Sequence, residues 1–456
     1  MPQPSALATE EIEYIPKIEP IRLAWGVLLI SFGIFCTICI SSLLLGHFFF
    51  FQSSVSLDMT LTVGKGTVRV KVGNEREQAE SRFRNLTSET TISTDSTDLW
   101  SQATITFVDP NYEQLIITMS LKGNTTIRLE DATRPRFNWT SADYQISLVD
   151  LTGEVDILVS DGLNRDISVS ILTPNGVEML LLSSGRYVID ASLTEVSITN
   201  RSGQAAIRAD ANNRTAESVG KGEKATRMGE DTTIIRTVAS TELLENGDLN
   251  TVIPYQDGTA QIINDPPFGW TCTNGPAHNL PRGNYYHDIA PDGRTSFHLK
   301  RLNGATSNGY TRCAQTFPQG LDVTQYDYLA LQAVVYINYQ SLTGCGVEAS
   351  ECPLMIYINY TDVNGVNRRW FHGVYARPLP SSSSWKRICD DCVQEHVLIY
   401  EKTWYIYNSG NWLNLFIADR RPARIDEIRF YSEGHEYDVF VDEVAILARP
   451  IEAEQP

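Results

Sequence analysis

Residues 172–209 read LTPNGVEMLLLSSGRYVIDASLTEVSITNRSGQAAIRA, in which apolar and polar side chains alternate between breaks at PNG, SSG and NRSG. Alternation with a period of two predicts half-buried β-strands. Asn and Gly tolerate the left-handed backbone of tight hairpins, so Thr173–Gly176 predicts a turn. We therefore interpret this stretch as the inside of a repetitive β-scaffold and not as a place where chemistry happens.

The same pattern continues on both sides of that stretch. GKGTVRVKVG, for example, places Val68, Val70 and Val72 on one face of a strand and Arg69 and Lys71 on the other. Short alternating segments separated by Gly, Asn, Asp or Pro are typical of a β-sandwich, barrel or solenoid. The predicted fold class is therefore mainly β.

One segment, Leu23 to Phe51, contains no acidic side chain and no Lys or Arg. About 20 apolar residues span a bilayer as a helix, so a single transmembrane anchor is predicted. A buried core helix and a cleaved signal peptide are the alternatives, but a signal peptide has a shorter apolar region and a basic leader. Arg22 abuts the segment and the next Lys or Arg is Lys65, which favours a cytoplasmic N-terminus and extracytoplasmic domains.

The charge balance bears on the class of partner. The chain has 456 residues and a formal net charge of -18. Nucleic-acid affinity depends largely on Lys and Arg that neutralise phosphates, so nucleic acid is excluded as a predicted partner.

Six of the eight cysteines lie in the last 200 or so residues, and an even set in one extracytoplasmic region predicts disulfides. Six cysteines allow 15 pairings. Sequence neighbours suggest Cys345 with Cys352 and Cys389 with Cys392, which leaves Cys272 with Cys313. The alternative is a zinc site made of Cys345, Cys352, Cys389 and Cys392, although the first pair is spaced more widely than zinc pairs usually are.

The segments GTVRV, LTGEVDILV, VSILTPNG, SSGRYVI, EVSITNRSGQAAI and VGKGEKATR, taken in this order, resemble the FecR domain over residues 60–228 or so. The resemblance implies an envelope-side β-domain that senses or assembles with other envelope proteins. Signalling members of that family carry a cytoplasmic portion that controls a sigma factor. Here about 22 residues precede the apolar segment, which argues against that role.

A second domain is expected beyond residue 240, where 16 of the 20 Tyr residues lie. Its opening ENGDL and its closing VDEVAIL resemble the jelly-roll sandwich of galactose-binding-like and carbohydrate-binding modules, over residues 243–448. The predicted organisation is a cytoplasmic tail at 1–22, a transmembrane helix at 23–51, a FecR-like β-domain at 52–238 and a jelly roll at 241–450.

Aromatic side chains are the candidates for ligand binding, because sugar C–H faces stack on Trp and Tyr rings. The alternative for each of them is a place in the core of the sandwich. The candidates are Trp270, Trp370, Trp385, Trp404, Trp412, Tyr285, Tyr286 and Tyr310.

A structural calcium ion is a further expectation, since calcium takes oxygen ligands from carboxylates and carbonyls. Jelly-roll modules often hold one where the first strand meets the last, and Glu245, Asp248 and Asp442 are the matching side chains. The alternative is that these carboxylates belong to solvated acidic turns.

No motif for catalysis stands out: the sequence contains no G-x-S-x-G, no H-E-x-x-H and no P-loop. The sequence therefore predicts a non-catalytic, membrane-anchored binding or structural protein of the cell envelope that recognises glycans or partner proteins. The alternatives are a carbohydrate-active enzyme or its targeting subunit, and a transmembrane sensor of the FecR type.

Overall fold

The computed structural model describes residues 20–81, 83–98, 101–211, 215–229, 231–249, 264–291, 294–380, 385–390 and 392–451. Strands make up most of the described chain, and one long helix lies near the N-terminus. The predicted mainly β fold class is confirmed.

The long helix α1 covers Pro20–His47, and a π-helical turn follows at Phe48–Gln52. The stretch Ala24–Gln52 is long and apolar enough to cross a membrane, and the structure buries none of it. The helix ends in four consecutive phenylalanines, and the chain is extended from Ser53 onward.

In the proximal domain, residues 56–238, several turns between strands lie at Gly and Asn positions of the sequence. Gly176, for example, has φ 80° in the turn that PNG predicts. The strands up to residue 238 are β1 Ser54–Ser56, β2 Asp58–Lys65, β3 Val68–Val72, β4 Gln78–Glu80, β5 Phe83–Leu86, β6 Thr90–Thr94, β7 Gln102–Asp109, β8 Gln114–Leu121, β9 Thr126–Pro135, β10 Tyr144–Val159, β11 Ile167–Leu172, β12 Glu178–Leu181, β13 Gly185–Ala191, β14 Glu195–Asn200, β15 Ala205–Arg208, β16 Glu217–Val219, β17 Glu223–Met228 and β18 Ile234–Val238.

These strands form two layers that share the long strand β10. One layer runs β4-β3-β6-β9-β10-β11-β12-β15-β16. The other runs β5-β2-β7-β8-β10-β13-β14-β17-β18. Pairing is antiparallel except between β10 and β11. The apolar side chains of both layers, such as Ile105, Ile157 and Ile198, fill a continuous core between them.

The distal domain, residues 241–450, is a sandwich of two sheets. Its strands are β19 Thr241–Glu242, β20 Thr271–Gly275, β21 Asn284–Ile289, β22 Thr295–Arg301, β23 Gly309–Asp322, β24 Tyr326–Gln340, β25 Leu354–Asp362, β26 Asn367–Tyr375, β27 Val397–Leu398, β28 Trp404–Asn408, β29 Pro422–Gly434 and β30 Tyr437–Pro450. The first sheet has the order β21-β22-β30-β24-β28, with β19 beside β30. The second has the order β20-β23-β29-β25-β26-β27. A short helix, α2 Trp412–Leu415, follows β28.

The two β-domains pack directly on each other. Leu115 and Leu158 of the proximal domain join Val334, Trp404 and Phe440 of the distal domain in one buried apolar cluster. The Tyr405 hydroxyl donates a hydrogen bond of 2.9 Å to Gln102 Oε1 across the same junction. The first sheet of the distal sandwich is therefore covered on its outer face.

Candidate functional site

Four of the eight candidate aromatic residues lie in the core between the two distal sheets. Trp270 packs edge-on against Phe430 with ring centroids 5.0 Å apart, and Trp370 lies 5.7 Å from Trp412. Tyr285 is also buried, and its hydroxyl donates to the carbonyl of Cys272 at 3.1 Å. These four rings therefore lie in the core, which is the alternative that the sequence also allows, and their role in ligand binding stays a prediction.

Trp404 is also inaccessible to a ligand, but for a different reason. It points out of the first distal sheet, where its ring packs against Tyr336 at 5.2 Å, and the proximal domain covers it. Only 1% of Trp404 is exposed, so it too cannot stack on a sugar. Tyr286, on the edge strand β21, is half-buried beside the His298 ring. Trp385 is half-buried in a loop.

Tyr310 is the remaining candidate, and it lies on the outer face of the second distal sheet. Strand alternation places residues of β23, β25, β26 and β29 on that face, opposite to core residues such as Cys313, Ile356 and Ile428. Together they line a cavity of about 370 Å³. We call this surface the open face; its lining residues are Tyr310, Arg312, Tyr357, Arg369, Phe371, Arg429, Tyr431 and Glu433.

Arginines and aromatic rings are interleaved on the open face. The Arg429 guanidinium lies 4.5 Å from the centroid of the Tyr357 ring, and the Tyr357 and Phe371 rings are 4.9 Å apart. Glu427 accepts two hydrogen bonds of 2.6 Å from Arg429 and so fixes its plane. Arg guanidinium groups stack well on aromatic faces and keep their N–H donors at the edge.

A second such stack lies on β23. The Arg312 guanidinium is 4.9 Å from the centroid of the Tyr310 ring, and its Nε donates to Thr273 Oγ1 at 2.9 Å. Arg369 on β26 is exposed. A protein of net charge -18 thus collects three arginines at one cavity, with Glu433 as the acidic side chain among its lining residues.

Burial sets the protonation of the acidic groups here. It raises the pKa of the Tyr431 phenol, with the Glu433 charge adding to the effect, so Tyr431 keeps its proton and can donate it in a hydrogen bond. Burial, together with the charge of Glu351, also raises the pKa of Glu433. Since the hydrogen bond to Glu427 raises the pKa of Arg429, the positive charge of the face persists.

Disulfide-bonded loops border one end of the open face. The structure pairs Cys345 with Cys352 and Cys389 with Cys392, and it pairs Cys272 with Cys313 across β20 and β23. These are the pairs that sequence neighbours suggested. The first two loops pack with Met355, Phe371 and Tyr431, so they support the rings of the open face. Because the sulfurs are bonded to one another, they are not zinc ligands here.

The expected calcium ligands do not come together as predicted. Asp442 is buried, and its Oδ2 accepts hydrogen bonds from Arg294 Nη2 at 2.6 Å and Nε at 2.8 Å. Its Oδ1 accepts from the backbone N–H of Glu443 at 2.8 Å. Both oxygens of Asp442 therefore already accept hydrogen bonds from donors within the protein.

A neighbouring cleft of about 900 Å³ does collect carboxylates, including Glu245 and Asp248. Burial raises the pKa of Glu242 to about 7, and the charges of Glu443 and Asp248 contribute. Burial and the charge of Asp442 likewise raise the pKa of Glu443 to about 7. Arg186 and Lys221 line the same cleft. Burial is thus the main cause of both pKa shifts, and basic side chains share the cleft with the carboxylates.

The sequence reasoning missed most of the open face. Tyr357, Phe371, Arg429 and Tyr431 were not among the candidates. A sequence signal for them does exist. On three paired strands, arginine or aromatic residues occupy the positions next to the core residues Ile356, Trp370, Ile428 and Phe430, and so face the opposite side of the sheet.

No protein-family model matches this sequence, and a search of curated proteins gives no match. Several solved structures resemble parts of the chain. A protein described as an anti-sigma factor from Parabacteroides distasonis is 14% identical with a TM-score of 0.24, over 34% of this chain and 60% of that one. TmCBM61, in complex with β-1,4-galactotriose, is 12% identical with a TM-score of 0.21, over 40% of this chain and 88% of that one.

A third similarity is to the CBM22-1 and GH10 modules of the Clostridium thermocellum xylanase 10B, complexed with xylohexaose. It has 9% identity and a TM-score of 0.21, over 40% of this chain and 26% of that one. This chain thus spans under two thirds of the anti-sigma factor, and overlaps of this extent carry no argument about function.

Proposed function

We propose that this protein is a membrane-anchored, extracytoplasmic binding protein of the cell envelope, without catalytic activity, and that the open face recognises glycans. The observation that carries the proposal is the set of Arg-on-Tyr stacks on the one distal sheet face that the proximal domain does not cover. Sites of this composition suit sugars, whose apolar faces contact rings while their hydroxyls meet fixed polar groups.

The arginines narrow the class of glycan. A guanidinium edge presents parallel N–H donors that match a carboxylate in a bidentate manner. Arg312 and Arg369 supply such donors at the cavity, while Arg429 is already held by Glu427. We therefore propose an acidic glycan, such as a uronic-acid polymer, in preference to a neutral one.

The N-terminal segment and the cysteines support the proposed compartment and anchoring. The apolar helix serves as the single-pass anchor with its N-terminus in the cytoplasm. The three disulfides fit an oxidising compartment outside the cytoplasm.

An enzyme acting at the open face is disfavoured by the spacing of its carboxylates. Glu427 and Glu433 lie on one strand, six residues apart. Six residues of extended strand span about 20 Å. Glycosidase carboxyl pairs lie about 5 to 9.5 Å apart, so these two side chains do not form such a pair.

The experiment is a glycan array probed with the full chain in nanodiscs, covering neutral and uronate-containing polymers. We expect binding to the acidic polymers, and we expect Arg369→Ala to weaken it at least tenfold. The matched control is Arg449→Ala, an exposed arginine paired with Asp327 away from the cavity. Equal binding by both variants would refute the site. If the unmodified chain binds no glycan and a stable protein complex is recovered from membranes, the ligand of the open face is a partner protein and not a glycan.

A further inference from the structure

The segment Pro135–Ala142, which leads from β9 to β10, carries two aromatic rings that stack on each other. Trp139 stacks on Phe137 with centroids 4.5 Å apart and an interplanar angle of 12°. Even so, 64% of Trp139 is exposed. Phe48–Phe51 are exposed as well, so Trp139 adds to an apolar patch at the helix end, and such patches mark contacts with proteins or membranes.

The rings of this loop lie against the end of the apolar helix. Phe137 is 5.6 Å from both Phe49 and Phe50, and Trp139 is 6.5 Å from Phe50. The backbone N–H of Arg136 donates to the carbonyl of Ser53 at 3.0 Å. The loop and the helix end form one compact unit, distinct from the rest of the chain.

Helix length sets the depth of this unit in a bilayer. The predicted apolar segment, Leu23 to Phe51, has 29 residues and spans about 43 Å as a helix. A bilayer is about 40 to 45 Å thick with its interfacial layers, so Phe48–Phe51 falls in one of those layers. The rings that touch Phe49 and Phe50 fall in the same layer.

We propose that the loop Pro135–Ala142 is a membrane-interface contact, in which Phe137 and Trp139 insert between the lipid headgroups beside the helix end. Trp is the side chain most typical of this layer, because its ring is apolar and its N–H seeks a polar partner. Arg136, whose guanidinium lies 5.6 Å from the Phe49 ring, is exposed and suits a lipid phosphate. The partner is therefore the bilayer surface itself.

The test uses the full chain in nanodiscs made with lipids brominated near the headgroup end of the acyl chain, which quench Trp emission at that depth. Trp25 and Trp139 are the tryptophans of this unit. Trp139→Phe should therefore remove roughly half of the quenchable emission. Trp385→Phe, in a distal-domain loop, is the matched control and should leave the quenchable part unchanged. If Trp139→Phe also leaves it unchanged, the loop does not contact lipid.

A second measurement avoids the tryptophan. Cys36 and Cys39, the free cysteines among the described residues, are replaced by Ser, and a nitroxide label is attached at Asn138→Cys or, as control, at Leu193→Cys. We expect a higher ratio of oxygen to nickel-chelate accessibility at position 138 than at 193, where the exposed loop belongs to the proximal domain. Equal ratios at the two sites would overturn the proposal, and protection from both reagents would indicate a protein partner instead.

Discussion

The two outer faces of the distal sandwich are built from the same kind of alternating strand, but they meet different surroundings. The first sheet presents Val334, Tyr336, Trp404 and Phe440, which are buried under the proximal domain. The second sheet presents tyrosines interleaved with arginines, which line an open cavity. On the covered face, the cation beside the Trp404 ring is Arg294, which is buried and paired with Asp442. On the open face, Arg312 and Arg429 stack on Tyr310 and Tyr357 beside a cavity.

The two sheets also differ in how they are stabilised. The Cys272–Cys313 bond ties β20 to β23 in the open sheet, and the other two disulfides close loops that flank its strands β25, β26 and β27. The covered sheet is instead supported by the contact with the proximal domain. The structure thus uses covalent bonds where packing from outside is missing.

The largest expected effect concerns the covered face. Trp404→Ala removes a fully buried ring from the junction and should lower the free energy of unfolding by up to about 5 kcal/mol. Urea unfolding of the full chain in detergent micelles measures this. Phe371→Ala, on the half-buried open face, is the control and should cost much less. Equal costs would mean that the proximal domain does not support the first sheet.

Removing the cross-strand disulfide should have the next largest effect. Cys272 and Cys313 are 41 residues apart, so Cys272→Ala/Cys313→Ala should cost about 4 kcal/mol in the loop-entropy model. The pair Cys389 and Cys392, three residues apart, closes a far shorter loop and should cost about 1.6 kcal/mol. Unfolding midpoints of both double variants give the order, and a larger cost for the short loop would contradict it.

Acid should destabilise the distal core through His372. Burial, with a contribution from His396, lowers the pKa of His372 to about 3, from an ordinary value of 6.5. The folded state therefore keeps this ring neutral while the unfolded chain takes up a proton below pH 6.5. The contribution of His372 to the free energy of unfolding is therefore fully present above pH 6.5 and is lost as the pH falls from 6.5 to 3. At pH 5 the loss from this residue is about 2 kcal/mol.

The matching variant is His372→Phe, which keeps the stack on Tyr407 at a centroid distance of 4.7 Å and cannot be protonated. The difference in unfolding free energy between pH 8 and pH 5 should shrink by about 2 kcal/mol in this variant. An unchanged difference would exclude His372 as the source of acid sensitivity.

The smallest effect tests the polar contact at the junction. A double-mutant cycle of Gln102→Ala and Tyr405→Phe should give a coupling of about 1 kcal/mol, the net value of one hydrogen bond. Tyr360→Phe replaces Tyr405→Phe in the control cycle, because its hydroxyl bonds to Arg420 within the distal domain. A coupling near zero in the first cycle would mean that the two domains are not joined through Tyr405.

The mainly β class was predictable because it depends on local periodicity, which Val68, Val70 and Val72 already display. The N-terminal helix was predictable because it depends on a continuous apolar run without charges. The role of Trp404 was not. Trp404 and Ile406 share one side of β28, but sequence cannot distinguish a core face from an outer face that another domain covers. Trp412, another candidate aromatic residue, lies in α2 inside the core, where its ring packs 5.7 Å from that of Trp370.

The open face was hidden for a related reason. Its rings come from separate strands, so only the pairing registers of β25 with β26 and β29 bring Tyr357, Phe371 and Arg429 together. The ion pair of Asp442 was equally unpredictable from sequence, because its partner Arg294 lies 148 positions away.

The junction between the domains has a practical consequence for producing the protein. A fragment that begins at residue 241 would leave Tyr336, Trp404 and Phe440 uncovered and prone to aggregate, even though each domain has a separate core. A soluble version for crystallisation or ligand screening should begin near residue 56, so that it includes the proximal domain that covers this sheet.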